Sequence, residues 1–233
     1  MKSIYEDGKY LDLTKTWHAE DSHWKAEQIF KIISRNQLHP YSIAEVGCGA
    51  GGILQSLHEM DYLKEVEFSG YDISPQAIEL AKSKSTTNIS FFNNDLLQDD
   101  QNNFDLLLVI DVFEHVEDYI GFLKKCRTIA EYKVFHIPLD IHVSSVIRNS
   151  FIRGRYSIGH LHYFTAESAL ATLKDTEYEI VDMFYTNPTF GLFKQHPSFK
   201  KALANVPRWL FSKISVPLSA RLFGGYSLLV LAR

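Results

Sequence analysis

Ser42 to Gly52 reads SIAEVGCGAGG, and Ile53 to Met60 reads ILQSLHEM. The first five residues form a short apolar run, as a buried strand does, and it passes straight into a glycine cluster. A helix is expected from about Ile53 to Met60. Glycines between a strand and a helix permit a tight turn and let a ligand approach the backbone. The helix that follows begins with backbone N–H groups that have no helical partner, the arrangement that holds a pyrophosphate in dinucleotide sites.

Outward from this stretch the chain alternates strand and helix. Expected strands are Glu65 to Tyr71, Ile89 to Phe92, Phe104 to Ile110 and Val134 to Ile137, with two more at Tyr178 to Tyr185 and Tyr226 to Ala232. FDLLLVI, from Phe104 to Ile110, is apolar on both faces and belongs at the centre of a parallel sheet. Ser74-Pro75 starts one helix, with a cap residue followed by proline in the first turn. Tyr119 to Ala130 makes another, and Thr165 caps a third that runs to about Lys174. Upstream, Asp21 or Ser22 caps a helix that presents Ala26, Ile29, Phe30 and Ile33 on one face and stops before His39-Pro40. The pattern predicts an α/β, doubly wound sheet with helices on both faces, in one domain over residues 1–233. Within it, residues 1–40 form an N-terminal lid and helix. Two stretches interrupt the alternation, Leu139 to Phe164 and Asn187 to Gly225. Pro188, Pro197, Pro207 and Pro217 punctuate the second. Both read as substrate-side structure, and Pro207 and Pro217 are expected to break any single helix there.

Composition limits the class. The 233 residues are 45% hydrophobic and 22% charged, which suits a folded globular chain rather than a disordered one. MKSIYEDGKY has no apolar run after its charges, so no secretory signal is expected. No apolar stretch approaches the roughly 20 residues of a bilayer span. Cys48 and Cys126 make neither a disulfide framework nor a zinc site, and a cytoplasmic location is expected. Net charge is −4, unevenly spread. After Asp182 there is no acidic residue, but there are seven basic ones: Lys194, Lys200, Lys201, Arg208, Lys213, Arg221 and Arg233. That asymmetry points to an anionic partner or to a basic solvated surface.

The glycine loop has two readings. Gly47, Gly49 and Gly52 satisfy GxGxxG, the nicotinamide-dinucleotide fingerprint. Glu45, however, places an acid at the end of the first strand, and a whole helix precedes that strand. The later motifs then decide. EVGCGAG, GYDIS, NNDLL, FDLLLVIDVFEHVEDY and GHLHYFT, in this order from about Ile43 to Thr165, resemble the motifs of class I methyltransferases that use S-adenosylmethionine (SAM). The last of them is similar to a segment of the subgroup related to ubiquinone biosynthesis. The resemblance implies a seven-stranded Rossmann-like sheet whose last strand inserts antiparallel beside the sixth. It implies direct methyl transfer that yields S-adenosylhomocysteine (SAH).

It also assigns residues. Glu45, Gly47, Cys48, Gly49 and Gly51 would line the cofactor, with Cys48 offering its backbone. Asp72 would bind both ribose hydroxyls, which a carboxylate can accept. Ile73 would pack on adenine, and Asp95 would accept from its amino group, with Leu96 nearby. Asp111 would lie at the strand end that meets the transfer site. Each has a plainer alternative: Asp72 as a turn cap, and Asn93-Asn94-Asp95 as turn chemistry.

An acceptor hydroxyl needs a base, and His115 is the first candidate, with His142, His160 and His162 as alternatives. His115 could equally start the helix after it. Some relatives hold a divalent ion with an acid-x-x-Glu-His cluster. Asp111, Glu114 and His115 have that spacing, completed by His160 or His162, although Asp111 stands where those relatives carry Glu. In the N-terminal segment, Tyr5 and Trp17 would cover the cofactor, while Trp24 would pack helix on sheet. A small-molecule acceptor is expected, either anionic or lipid-linked, with peripheral membrane contact through the basic C-terminal insertion. No nucleic-acid partner is expected, because the chain is acidic overall and has no RNA-binding module. Two rivals stand beside this reading: a nicotinamide-dependent oxidoreductase, and a SAM-binding module without activity.

Overall fold

The structure is a computed structural model, and it describes residues 19–98, 103–188 and 199–233. The proposed lid residues Tyr5 and Trp17 lie outside them. The elements are α1 (Ala19–Arg35), β1 (Ser42–Val46), α2 (Gly52–His58), β2 (Glu67–Tyr71), α3 (Pro75–Lys82), β3 (Ile89–Phe92) and β4 (Phe104–Ile110). They continue with α4 (Tyr119–Ile129), β5 (Ala130–Pro138), α5 (Val143–Ile147), α6 (Ser150–Ser157), α7 (Ala166–Asp175) and β6 (Ile180–Thr186). The last are α8 (Phe199–Ile214), α9 (Val216–Phe223) and β7 (Ser227–Ala232).

The seven strands make one sheet in the order β3-β2-β1-β4-β5-β7-β6. The pairs from β3 to β5 are parallel. β7 lies antiparallel between β5 and β6, as expected. This order departs from the all-parallel 3-2-1-4-5-6 of the dinucleotide-binding fold, so the sheet itself counts against the oxidoreductase reading.

Apolar residues point to both faces. One core packs Val46, Leu107, Val109, Phe113, Phe135 and Ile137 beneath α4 and α7. The other packs Ile43, Phe68, Leu106 and Leu108 against Ile29, Ile32 and Ile33 of α1 and Leu54 and Leu57 of α2. Trp24 is buried and meets the His136 ring edge-on at 6.3 Å, the packing role expected of it. The carboxyl ends of β1, β2, β4 and β5 lead to the glycine loop, Asp72, Asp111 and Asp140 respectively. In open α/β sheets this is the end where ligands bind.

Two sequence expectations need correction. β5 begins at Ala130 rather than Val134. Glu131 and Lys133 hid its start, because they interrupt the apolar run, yet Lys133 is 2% exposed with its amine over the Tyr178 ring. Burial, with Arg127 nearby, pushes the Lys133 amine down to about 8. Pro207 does not break its helix, since α8 runs through it to Ile214. Proline removes one helical donor there. The next residue, Arg208, donates to the carbonyls of Phe223 and Gly224 and so ties α8 to the end of α9. Pro217 is in the first turn of α9, where its missing N–H costs nothing, and Ser215 caps that helix.

Candidate active site

The glycine loop folds back on β2. Gly47 and Cys48 donate to the Tyr71 carbonyl at 2.8 and 3.1 Å. The Gly49 N–H donates to Asp72 Oδ2 at 2.9 Å, and the Ser74 N–H donates to Oδ1 at 2.8 Å. These bonds fix the Asp72 carboxylate and leave each oxygen a further lone pair. Burial raises its pKa despite the two N–H groups. Glu45 is 1% exposed, and its Oε2 has no partner among the described residues. Burial pushes its pKa well up, Lys25 pulls it down, and Asp72 pushes it up again. A cationic, hydrogen-bonding ligand would relieve this acidic pair, so the loop fits the amino-acid end and ribose of SAM.

Other loop residues divide between ligand side and core side. Ile73 is 48% exposed beside Asp72, as an adenine-packing residue must be. Asp95 accepts from the Leu97 N–H and from Gln98. The Leu96 side chain is fully buried in the core, so only its backbone can face a nucleoside. The Cys48 thiol is also buried, and burial pushes its pKa up, with Glu45 and Asp72 adding to the effect. It is therefore no nucleophile. Gly51 has φ +75°, and an added Cβ would lie 2.5 Å from the Phe91 ring. Its smallness serves packing against β3, not ligand space.

At the end of β4 the chain makes a short 3-10 turn, Phe113–His115. The Glu114 carbonyl accepts from the N–H groups of Leu161 and His162, which ties the later loop to the turn. Glu114, His115 and His160 thus come together, with ligand atoms all within 4.8 Å of one another. The Glu114 side chain is fully buried, and neither of its oxygens has a hydrogen-bond partner among the described residues. Burial, and then Asp111, push its pKa well up. His115 lies edge-on to His160 with ring centroids 4.8 Å apart. Burial and His160 push its pKa down to about 4, so it is neutral at pH 7. His160 Nδ1 meets Asp140 Oδ2 at 2.6 Å, which fixes the ring and turns Nε2 to the other side.

Asp111 does not join this cluster. Its φ of +54° turns the chain sharply. Its carboxylate meets Lys25 Nζ at 3.0 Å and His136 Nδ1 at 2.6 Å. Lys25 also pairs with Asp21 at 3.1 Å, and His136 Nε2 meets Thr186 Oγ1 at 2.9 Å. Burial works to raise the Asp111 pKa, but His136 and Lys25 hold it well below the usual carboxylate range. The expected metal contact at Asp111 is therefore not formed: its short side chain is held by Lys25 and His136, and the cluster consists of Glu114, His115 and His160. His142 and His162 also leave the catalytic set. His142 caps α5 by accepting from the Ser145 N–H. His162 Nε2 lies 2.9 Å from the Val116 carbonyl, and its ring packs on Tyr119.

Lys25, His136 and Asp140 were not predicted as parts of the site. Asp140 carried one usable sign, an acid directly after the fifth strand's terminal proline and leucine. Lys25 and His136 carried none, because the contacts that give them meaning join α1, β4 and β5 across the fold.

Residues 44–131 match the family described as a methyltransferase domain. Over that part, which is less than half of the chain, the protein is similar to methyltransferase domains. On this fold that domain brings with it the enzyme class and the donor: a methyltransferase that uses SAM.

Solved structures share the methyltransferase's fold at low identity. Magnesium protoporphyrin IX methyltransferase from Synechocystis PCC 6803, solved with SAH, is 14% identical with a TM-score of 0.60, over 90% of this chain and 82% of that one. Coclaurine N-methyltransferase, solved with N-methylheliamine and SAH, is 14% identical with a TM-score of 0.60, over 89% and 71%. The cyclase SpnF is 13% identical with a TM-score of 0.59, over 89% and 80%. A cyclase on the same fold shows that chemistry must be argued from the site. In the methyltransferase, replacing Asp72 by alanine should weaken SAH binding by about 1.5–3 kcal/mol, the range for hydrogen bonds to a charged group. Calorimetry on a variant that keeps its melting temperature checks this.

Proposed function

We propose that this SAM-dependent methyltransferase methylates a hydroxyl oxygen of a small-molecule acceptor at the Glu114–His115–His160 cluster. The observation that carries the reading is the buried Glu114 carboxylate, without a hydrogen bond to either oxygen among the described residues, 3.9 Å from His115 Nε2 and close to His160. An amine acceptor is already nucleophilic once neutral, whereas a hydroxyl must be polarised or deprotonated as it attacks. The solved neighbours that act on magnesium protoporphyrin and coclaurine support a small-molecule acceptor. The two buried, unpaired thiols suit the cytoplasm.

The donor set fits a divalent cation. Two imidazoles and a carboxylate converge, a carboxylate orients one of the imidazoles, and neutral His115 is a ready ligand. Glu114, His115 and His160 would hold the ion, and Asp140 would steer His160. A bound cation would supply Lewis acidity to the acceptor oxygen. The chain's own part is to fix SAM through Asp72 and Glu45, to present the acceptor oxygen in line with the S–CH₃ bond, and to exclude water. A second reading rests on the 2.6 Å Asp140–His160 contact. In it, His160 takes the acceptor proton itself and needs no metal.

Chelation separates the two. Methyl transfer should fall on EDTA treatment and return with Mg²⁺ or Mn²⁺, and calorimetry should detect cation binding that Glu114→Gln weakens. Full activity in EDTA, with no heat on cation titration, would leave His160 as the base.

A further inference from the structure

We propose that the methyltransferase docks on anionic lipid bilayers through a surface built from α5, α6, α8 and α9, so that the candidate active site opens next to the membrane.

These helices are the two insertions, and they pack in succession. His142, which caps α5, lies against the end of α9, since a Cβ on Gly224 would meet its imidazole. Arg208 joins α8 to α9. On this surface large apolar side chains face solvent. Val146 and Ile147 of α5 are 59% and 78% exposed, and Ile152 and Tyr156 of α6 are 56% and 78% exposed. On α8, Val206, Trp209, Leu210 and Ile214 follow one another at helical spacing, each 46% to 79% exposed. A single exposed apolar residue is ordinary, but a run of them across adjoining helices is not.

Charge selects what covers the surface. Residues 141–166 and 183–233 contain no aspartate or glutamate. Arg148, Arg153, Arg155 and Lys213 are exposed among the apolar residues. Lys213 lies over the Trp209 ring, 5.8 Å from its centroid, so a cation and an indole share one spot. Two of the basic residues singled out in the sequence do other work. Arg208 is bonded into the α8–α9 junction, and Arg221 pairs with Glu167 of α7. Apolar and aromatic groups interleaved with unopposed cations match the boundary between headgroups and acyl chains of an anionic leaflet. A protein partner of ordinary mixed charge would leave those cations unmatched. No helix among the described residues is long and apolar enough to cross a membrane, so the contact is peripheral.

The surface connects directly to the catalytic cluster. Asp140, which orients His160, lies three residues before α5, and its carbonyl accepts from the Ser145 hydroxyl in that helix. Tyr163, three residues after His160, donates to the Phe151 carbonyl in α6 and packs on the Phe151 ring. An acceptor anchored in the leaflet would reach Glu114, His115 and His160 from this side. That last step rests on the proposed site, whereas the docking itself does not.

The test is cosedimentation of the full chain with vesicles of phosphatidylcholine alone, and of equal parts phosphatidylcholine and phosphatidylglycerol. The protein should pellet with the anionic vesicles only, and added salt should release it. Each cation near the surface is worth about a fivefold change in partitioning. Arg153→Gln, Arg155→Gln and Lys213→Gln together should therefore weaken it by about 100-fold. Trp209→Ala with Ile214→Ala should weaken it too. Both variants change exposed residues and should keep the wild-type melting temperature and SAH affinity. A methyltransferase that fails to bind SAH but still pellets would refute the active-site reading and leave the docking surface standing. No pelleting, or equal pelleting on both vesicles, overturns the proposal. So does a dimer in light scattering that Ile214→Glu splits, since a second copy would then cover the patch.

Discussion

Replacing His160 by alanine should lower methyl transfer by about 10²–10⁴, the usual range for a positioned acid–base group. The loss follows on either reading of the cluster. If His160 holds a cation, the ion is left with Glu114 and His115. If His160 is the base, the acceptor proton has no recipient. His115→Ala and Glu114→Gln should fall in the same range if the three act as a unit, and the double variants should be far from additive. The measurement is SAH release with an acceptor found in a panel of hydroxylated small molecules. SAH affinity should barely move, because the cofactor is assigned to the glycine loop and Asp72 rather than to these three side chains. Full turnover in all three variants would show that the cluster is structural. Asp140→Asn is the finer probe: it keeps the shape of the 2.6 Å contact with His160 while removing the charge that orients the ring.

Lys25→Met should destabilise the fold by about 3–5 kcal/mol, the cost of breaking a buried ion pair by removing one partner. For a chain of this size that is a fall in melting temperature of about 10 °C or more. Lys25 is 13% exposed and lies between Asp111 and Asp21 at 3.0 and 3.1 Å. Without it, Asp111 keeps only His136, and Asp21 loses its cation. Removing the charge of Asp111 as well, in Lys25→Met/Asp111→Asn, should recover part of the loss. Acid titration gives a second readout. Asp111 titrates lower in the folded state than in the unfolded one. Its contribution is thus present above the unfolded carboxylate range, near pH 4, and is lost as pH falls below it. Lys25 is the mirror case. Asp111 and Asp21 outweigh the effect of burial and raise its pKa, so its contribution is lost only as pH rises past the ordinary lysine range. The variant should therefore show a flatter stability curve at both ends. An unchanged melting temperature would mean that the pair contributes nothing net.

Strand positions were legible where the apolar pattern was clean. β1, β3 and β4 have the bounds expected of them, and Ser74-Pro75 and Thr165 start their helices as read. The antiparallel placement of β7 could not come from periodicity. It came from the motif resemblance, and the sheet bears it out. The start of β5 is hidden in the sequence because a buried lysine and a glutamate look like loop residues. Pro207 was misread because local rules count the lost donor and not the tertiary bonds of Arg208 that hold the helix. Among site residues, local sequence located the DVFEHV turn but could not rank its members. Asp111, Glu114 and His115 are neighbours with similar chemistry. Only the positions of Lys25 and His136, distant in sequence, show that Asp111 is held by short ion pairs while the Glu114 oxygens have no hydrogen bond among the described residues.

The central claim is that the loop from Glu45 to Gly52, with Asp72, is a SAM site. Calorimetric titration of the wild-type protein with SAH and, separately, with NAD tests it most directly. The account predicts saturable SAH binding at one site per chain and no heat with NAD. Binding of NAD in place of SAH, or of neither, would contradict it.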